Sequence, residues 1–248
     1  MAYQFAIVAN EKGIPVSMDC EKDRPGMRDV LPYCNILFTN EHYPALYFRM
    51  FSGNREGDFY RHKAHRSHQE IESQFDDTLE NIAFMVEDLQ EGRKEDSKLH
   101  FVVTSLGSYG SMLFLCSSFD ADESVTKTQT SGKGQGTLPL NKLVSSITEN
   151  PLPIRRFIFH SRKTRKQYQC VFCPAISLSG KEIVDTTGAG DSFIGAFLSA
   201  YYDNSGQIDS FEQCMQIATH VAARKIGYPG ARSGLPNLQQ LTSFISKD

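Results

Sequence analysis

Apolar positions along this chain switch repeatedly between a helical and an alternating spacing, and the switches predict a helix–strand rhythm. Tyr3 to Lys12 reads as a helix with Phe5, Ile7, Val8 and Ala9 as its apolar content, stopped by Gly13. Ile14 to Asp19 predicts a short buried strand, and Glu21 to Gly26 a charged loop. Met27 to Cys34 predicts a second helix, interrupted late by Pro32, and Asn35 to Phe38 a second strand. Ser52 to Gln69 is polar and rich in Arg, Lys and His, so it reads as a solvated loop face. Ile71, Phe75, Leu79, Ile82, Val86 and Leu89 form a helical stripe. Leu99 to Thr104 and Ser111 to Cys116 predict two strands of a hairpin across a Gly-containing turn. Pro153 to Phe159 and Tyr168 to Phe172 predict two more strands around the basic turn Ser161 to Lys166. Phe211 to Ile226 is the last helix, with Phe211, Met215, Ala218, Val221 and Ala222 on one side and Gly227 as its stop. This rhythm predicts an α/β fold: a doubly wound, mostly parallel sheet with a small antiparallel hairpin region, read as one domain over 1–248.

The most informative stretch is Lys181 to Tyr202, KEIVDTTGAGDSFIGAFLSAYY. An apolar run ends at Val184, Gly188 and Gly190 bracket Ala189, and Phe193, Phe197 and Tyr201 then recur every four positions. The pattern predicts a strand, a tight glycine turn and a buried helix. Free N–H groups at a helix start, with the positive end of the helix dipole, make an anion site. Asp191 stands there, placed to take a proton from a hydroxyl that attacks a phosphoryl group. Read on its own, Gly-x-Gly-Asp is equally compatible with an ordinary turn in which Asp191 caps the helix.

The whole string DTTGAGDSFIGAF closely resembles the C-terminal signature of the ribokinase-like carbohydrate kinases, the phosphofructokinase B type that includes ribokinase, fructokinase and ketohexokinase. The resemblance implies an ATP-dependent kinase of a small sugar or related polyol, with Gly188, Ala189 and Gly190 as the anion hole and Asp191 as the catalytic base. It further implies nucleotide contacts at Thr104, Gly107 and Gly110, whose SLGSYG turn resembles the family's glycine turn beside the nucleotide, and at Thr219, Ala223 and Gly227 over the adenine. ATP with Mg2+ is the implied cofactor pair. A monovalent cation such as K+ falls to Asp185, Thr187 and Ser233, and a magnesium role to Glu41. The family's Asn-x-x-Glu motif is not intact there, because Tyr43 stands third after Asn40. The resemblance also starts part-way into the family fold. The first strand, its glycine turn and the lid strands over the sugar find no match, so the chain reads as a truncated or lidless member, or as a non-catalytic regulatory relative that still binds nucleotide.

Composition narrows the rest. The chain has 248 residues and a net charge of −3, which gives no general attraction to nucleic acid or anionic membrane. No apolar run reaches spanning length, and the apolar core of MAYQFAIVANEKG is too short for a signal peptide, so cytoplasmic or plastid-stromal residence is expected. The implied partners are ATP and a small sugar, with a homodimer left open. Six scattered cysteines suit reduced thiols, and Cys170-x-x-Cys173 lacks a second pair for zinc. His62, His65 and His68 are spaced by three, but no carboxylate or Cys joins them at ligand spacing. Asp120 to Thr137, with Gly132, Gly134 and Gly136, reads as a flexible insertion.

Overall fold

A computed structural model of the chain describes residues 2–52, 68–91, 93, 98–120, 154–180, 182–203 and 211–237. His62, His65 and the 120–137 insertion beyond Asp120 lie outside the described residues. Helix α1 spans Ala2–Glu11, strand β1 Ser17–Cys20, and α2 Met27–Val30 with a 3-10 turn at Leu31–Tyr33. Strand β2 is Ile36–Asn40, helix α3 Tyr43–Phe51 and helix α4 His68–Gln90. Strand β3 (Phe101–Ser105) leads through a 3-10 turn at Gly107–Tyr109 into β4 (Gly110–Asp120). Strands β5 (Arg155–His160) and β6 (Lys166–Pro174) precede α5 (Ala189–Asp203) and α6 (Phe211–Ile226).

The six strands form one sheet in the order β1-β2-β3-β4-β6-β5. β1, β2 and β3 pair in parallel, with Ser17 opposite Ile36 and Ile36 opposite Phe101. The links from β3 to β4 and from β5 to β6 are too short for a crossover and make these pairs hairpins. The expected α/β architecture is therefore present, with an antiparallel part larger than one hairpin.

The described residues fall into two compact units. The first holds residues up to Ser105 with 113–120 and 156–170, and so the body of the sheet and helices α1 to α4. Its core is the α4 stripe, where Phe75, Leu79, Ile82, Val86 and Leu89 are all buried, together with Ile36, Leu37, Phe38, Phe101, Val102 and Val103. The fully buried β2–β3 positions are the near-continuous apolar runs that a parallel sheet covered on both faces demands.

Four local features of this unit differ from the sequence reading or add to it. Helix α1 forms as expected, but of its apolar residues only Ala6 is buried, and Phe5 is 69% exposed. The first strand is shorter than Ile14 to Asp19 and lies at the edge of the sheet, where Cys20 alone is buried. Helix α3 is an addition. It starts because Asn40 Oδ1 accepts the N–H groups of His42 (3.1 Å) and Tyr43 (2.9 Å) and because Pro44 suits a first helical turn. The basic turn is not a free cationic tip. Arg162 binds both Asp76 and the buried Glu80, Lys163 Nζ donates to Asn81 at 2.9 Å and lies over the Phe48 ring, and Lys166 reaches Glu87 at 2.5 Å. The acidic face of α4 neutralises it.

The second unit comprises 106–112, 154–155 and 171–237 among the described residues. Phe193, Phe197 and Tyr201 stack along α5 at centroid spacings of 6.4 and 6.3 Å, and Tyr201 stacks on Phe211 at 5.8 Å, which joins α5 to α6. All six cysteines are free and buried, as expected for reduced thiols.

Candidate active site

The second unit carries the signature stretch, and its local chemistry explains why the backbone turns where it does. Gly188 has φ +78°, a left-handed conformation, and a Cβ there would lie 2.8 Å from the carbonyl oxygen of Ala231. Gly190 differs: a Cβ there would meet nothing within 4 Å. Packing within the described chain therefore demands the first glycine but not the second. Helix α5 begins at Ala189, and its first turn carries Asp191. Ser192 folds back to donate to the Gly188 carbonyl at 2.5 Å. Asp191 is exposed and has no hydrogen-bonding or ionic partner among the described residues. Asp191 thus stands in the first turn of a 15-residue helix, whose first N–H group, that of Ala189, is spent on the Thr186 carbonyl at 3.1 Å.

Before the turn, the expected strand is absent. Residues 183–186 are irregular, with Ile183 and Val184 exposed, and the backbone is held by α6 instead. The Ile226 carbonyl, at the end of α6, accepts N–H groups from Val184 (2.9 Å) and Asp185 (3.0 Å). Asp185 spends both carboxylate oxygens on the backbone: Oδ1 accepts from Thr187 N at 2.9 Å and Oδ2 from Gly230 N at 2.7 Å. The Thr187 side chain first, then the Thr187 and Gly230 N–H groups, hold its pKa down at about 2. Its main-chain carbonyl accepts from Lys225 Nζ at 2.8 Å.

Beside this framework lies an open cleft of about 440 Å³, in the size range of a small-molecule site. Ile176, Leu178 and Val184 give it an apolar wall, Ala223, Gly227 and Tyr228 belong to α6 and the loop after it, and Glu182, His220 and Arg224 supply polar groups. The wall residue Tyr228 stands against Gly234, where a Cβ would come within 2.3 Å of its ring.

The residues singled out from the sequence are placed unequally. Gly188, Ala189, Gly190 and Asp191 come together in one turn, and Ala223 and Gly227 line the cleft. Thr219 does not line it, since its hydroxyl contacts Cys173 Sγ at 3.3 Å. Gly110 serves the sheet end: a Cβ would sit 2.1 Å from the Cys173 carbonyl oxygen. Gly107 has φ +59° and open space around it. Thr104 belongs to the first unit, fully buried, with its hydroxyl 2.8 Å from that of Thr39. Glu41, also in the first unit, is 3.5 Å from His42 Nε2, while Asn40 is spent on capping α3. No group of three His, Cys, Asp or Glu able to hold a metal is found among the described residues. The potassium expectation fits poorly. Asp185 has its carboxylate and its carbonyl already engaged by N–H donors, and Thr187 and Ser233 are exposed. The sequence reading passed over Lys225, Tyr228 and Glu182; the Arg-Lys pair ending α6 reads only as basic residues at a helix C-terminus.

Residues 165–238 match the family described as pfkB family carbohydrate kinase, the region that contains the turn, Asp191 and the cleft. Over this region the chain is similar to the ribokinase-like kinases. A ribokinase from Lactococcus lactis is 36% identical over 90 residues, covering 36% of this chain and 26% of that protein. A deoxyribokinase from Salmonella typhi is 37% identical over 78 residues, 32% of this chain and 23% of that one. Among solved structures, Arabidopsis thaliana ribokinase, complexed with ribose and ATP, aligns over 100% of the chain and 52% of its own length, with TM-score 0.56 and 20% identity. Giardia lamblia ribokinase aligns over 99% and 55%, with TM-score 0.53 and 16% identity. The fold of this ribokinase-like chain is thus shared with both structures, and the chain spans about half the length of each. No helix among the described residues is long and apolar enough to cross a membrane.

Proposed function

We propose that the chain is a ribokinase-like kinase domain that transfers the γ-phosphoryl group of Mg·ATP to a primary hydroxyl of a small sugar or related polyol, in the cytosol or a plastid stroma. One observation carries the reading: the unengaged Asp191 carboxylate sits in the first turn of the helix that opens on left-handed Gly188. The base of ATP takes the cleft walled by Val184, Ala223, Gly227 and Tyr228. The backbone N–H groups of Gly188 and Gly190 face the transferring phosphoryl oxygens and stabilise their charge, while that of Ala189 holds the turn through the Thr186 carbonyl. The sugar oxygen attacks phosphorus, the bond from phosphorus to the β-phosphate oxygen breaks, ADP leaves, and the hydroxyl proton passes to Asp191. Positioning and charge stabilisation do most of the catalytic work in such transfers.

The test is ADP release with a panel of sugars and nucleosides, run beside titration with a non-hydrolysable ATP analogue. Sugar-stimulated release is expected. Asp191→Asn should lower kcat by about 10²–10⁴-fold, the scale of a lost general base, with analogue affinity little changed. Equal loss of binding and turnover would refute the assigned role. Asn40, committed to capping α3, favours a second reading: nucleotide binding without transfer. Analogue binding with no sugar-dependent release would select it.

A further inference from the structure

Two charged side chains are buried among the described residues, Glu80 and Lys225; Glu80 is in an ion pair with Arg162, whereas Lys225 feels the Asp185 carboxylate only at a distance. Lys225 is 0% exposed at the end of α6, and no carboxylate pairs with it among the described residues. An ammonium ion taken out of water needs strong acceptors in return. It finds two main-chain carbonyls, that of Asp185 at 2.8 Å and that of Tyr228 at 3.2 Å. Each carbonyl belongs to a different loop. Asp185 leads into the glycine turn, and Tyr228 is a wall of the cleft. The same two loops are tied a second time by Asp185 Oδ2 to Gly230 N, at 2.7 Å.

We propose that Lys225 is a positioning residue: its buried ammonium is a tethered cation that clamps the segment before the glycine turn to the Tyr228 loop, setting turn and cleft in one arrangement. This rests on the kinase reading above for its purpose, but not for its detection. A lysine kept only for packing would be replaced well by methionine, since a buried charge is weak support for stability and its stem volume is preserved. A lysine kept as a clamp cannot be, because methionine holds neither carbonyl. The cradle of carbonyls is also what a small free cation would accept, so the lost ammonium can be offered back from solution.

The experiment compares the wild-type chain with Lys225→Met and Lys225→Ala by amide hydrogen exchange over 183–191 and 227–231, and by titration with a non-hydrolysable ATP analogue. In Lys225→Met both segments should exchange at least tenfold faster, together, while the α5 and α6 interiors stay protected, and analogue affinity should fall at least tenfold. For Lys225→Ala, methylammonium should restore part of both signals and tetramethylammonium, which has no N–H to donate, should not. Unchanged exchange in Lys225→Met overturns the clamp, and so does a loosening of the whole unit that methylammonium fails to reverse. If the wild-type chain binds no analogue yet the exchange effect and its rescue persist, the clamp stands and the kinase reading falls.

Discussion

The two glycines of the turn make opposite predictions, and the pair separates folding from ligand approach. At Gly188 an added methyl is strained twice. A left-handed backbone costs an L-residue about 1–2 kcal/mol, and the Cβ would press on Ala231 at 2.8 Å from its carbonyl oxygen and 3.0 Å from its Cα. Both contacts are backbone, so the loop must move; overpacking of this kind costs a further ~1–3 kcal/mol. Gly188→Ala should therefore lose about 2–5 kcal/mol in denaturant unfolding. At Gly190 the Cβ meets nothing, and alanine is the better helix former by up to about 1 kcal/mol. Gly190→Ala should be as stable as the wild type or more so. If the turn receives phosphate, however, that methyl stands where the ligand approaches, and kcat/KM for ATP should fall about tenfold or more, equivalent to about 1.4 kcal/mol of lost stabilisation. Urea unfolding and coupled ADP release measure the two quantities separately. A stable Gly190→Ala with wild-type turnover would refute ligand approach at this turn. A Gly188→Ala variant as stable as the wild type would refute the steric argument itself.

Two further outcomes follow from the charged groups. Asp185 has its folded pKa lowered to about 2, so the stability it contributes is present above its unfolded pKa of about 3.9 and is lost as pH falls through the folded value. Asp185→Asn should abolish that component of the acid transition between roughly pH 4 and pH 2, read by circular dichroism against pH; an unchanged acid profile would remove Asp185 from the framework. In the first unit, burial pushes the Glu80 carboxyl up, but the Arg162 N–H, the Ser161 hydroxyl and the Lys163 N–H together hold it below its usual value. Glu80→Ala leaves these donors without their acceptor and should cost about 2–4 kcal/mol in chemical denaturation, with a cost under about 1 kcal/mol contradicting the account.

What the sequence disclosed follows from how locally each feature is determined. The α4 stripe and the β2–β3 runs were legible because burial repeats at the period of the element that buries it. The glycine turn and Asp191 were legible because a left-handed residue and a helix start are set within a few positions. Helix α3 was less visible, since its start depends on Asn40 accepting two N–H groups from just beyond the strand, and its aromatic residues Tyr43, Tyr47 and Phe51 fall in a run too short to show a period clearly. The missing strand at 183–184 has another cause. Ile183 and Val184 carry strand propensity, but the N–H of Val184 is claimed by the end of α6, more than 40 residues further along the chain. Thr104 and Thr219 look available for a ligand in sequence. Their hydroxyls are taken by Thr39 and Cys173, partners brought together only by the sheet and by α6.

The same long-range dependence explains why the candidate site needs charges that face no ligand. N–H groups kept for a ligand, as proposed for Gly188 and Gly190, cannot also be spent inside a regular ladder, so the segment before the turn is irregular and its remaining polar groups require other partners. Asp185 takes N–H groups from Thr187 and Gly230, and Lys225 takes carbonyls from Asp185 and Tyr228. Acceptor and donor are divided between one acid and one base, and the Lys225 charge itself helps to keep the Asp185 carboxyl ionised. Neither residue need touch a phosphate. Their part is to let an irregular backbone stay fixed, which is the condition for preorganised N–H groups to stabilise charge without first having to reorganise. On this reasoning the short DTTGAGD string is sufficient to mark the site but insufficient to build it. The building groups lie at Lys225, in the last turn of α6, and at Gly230, just after it.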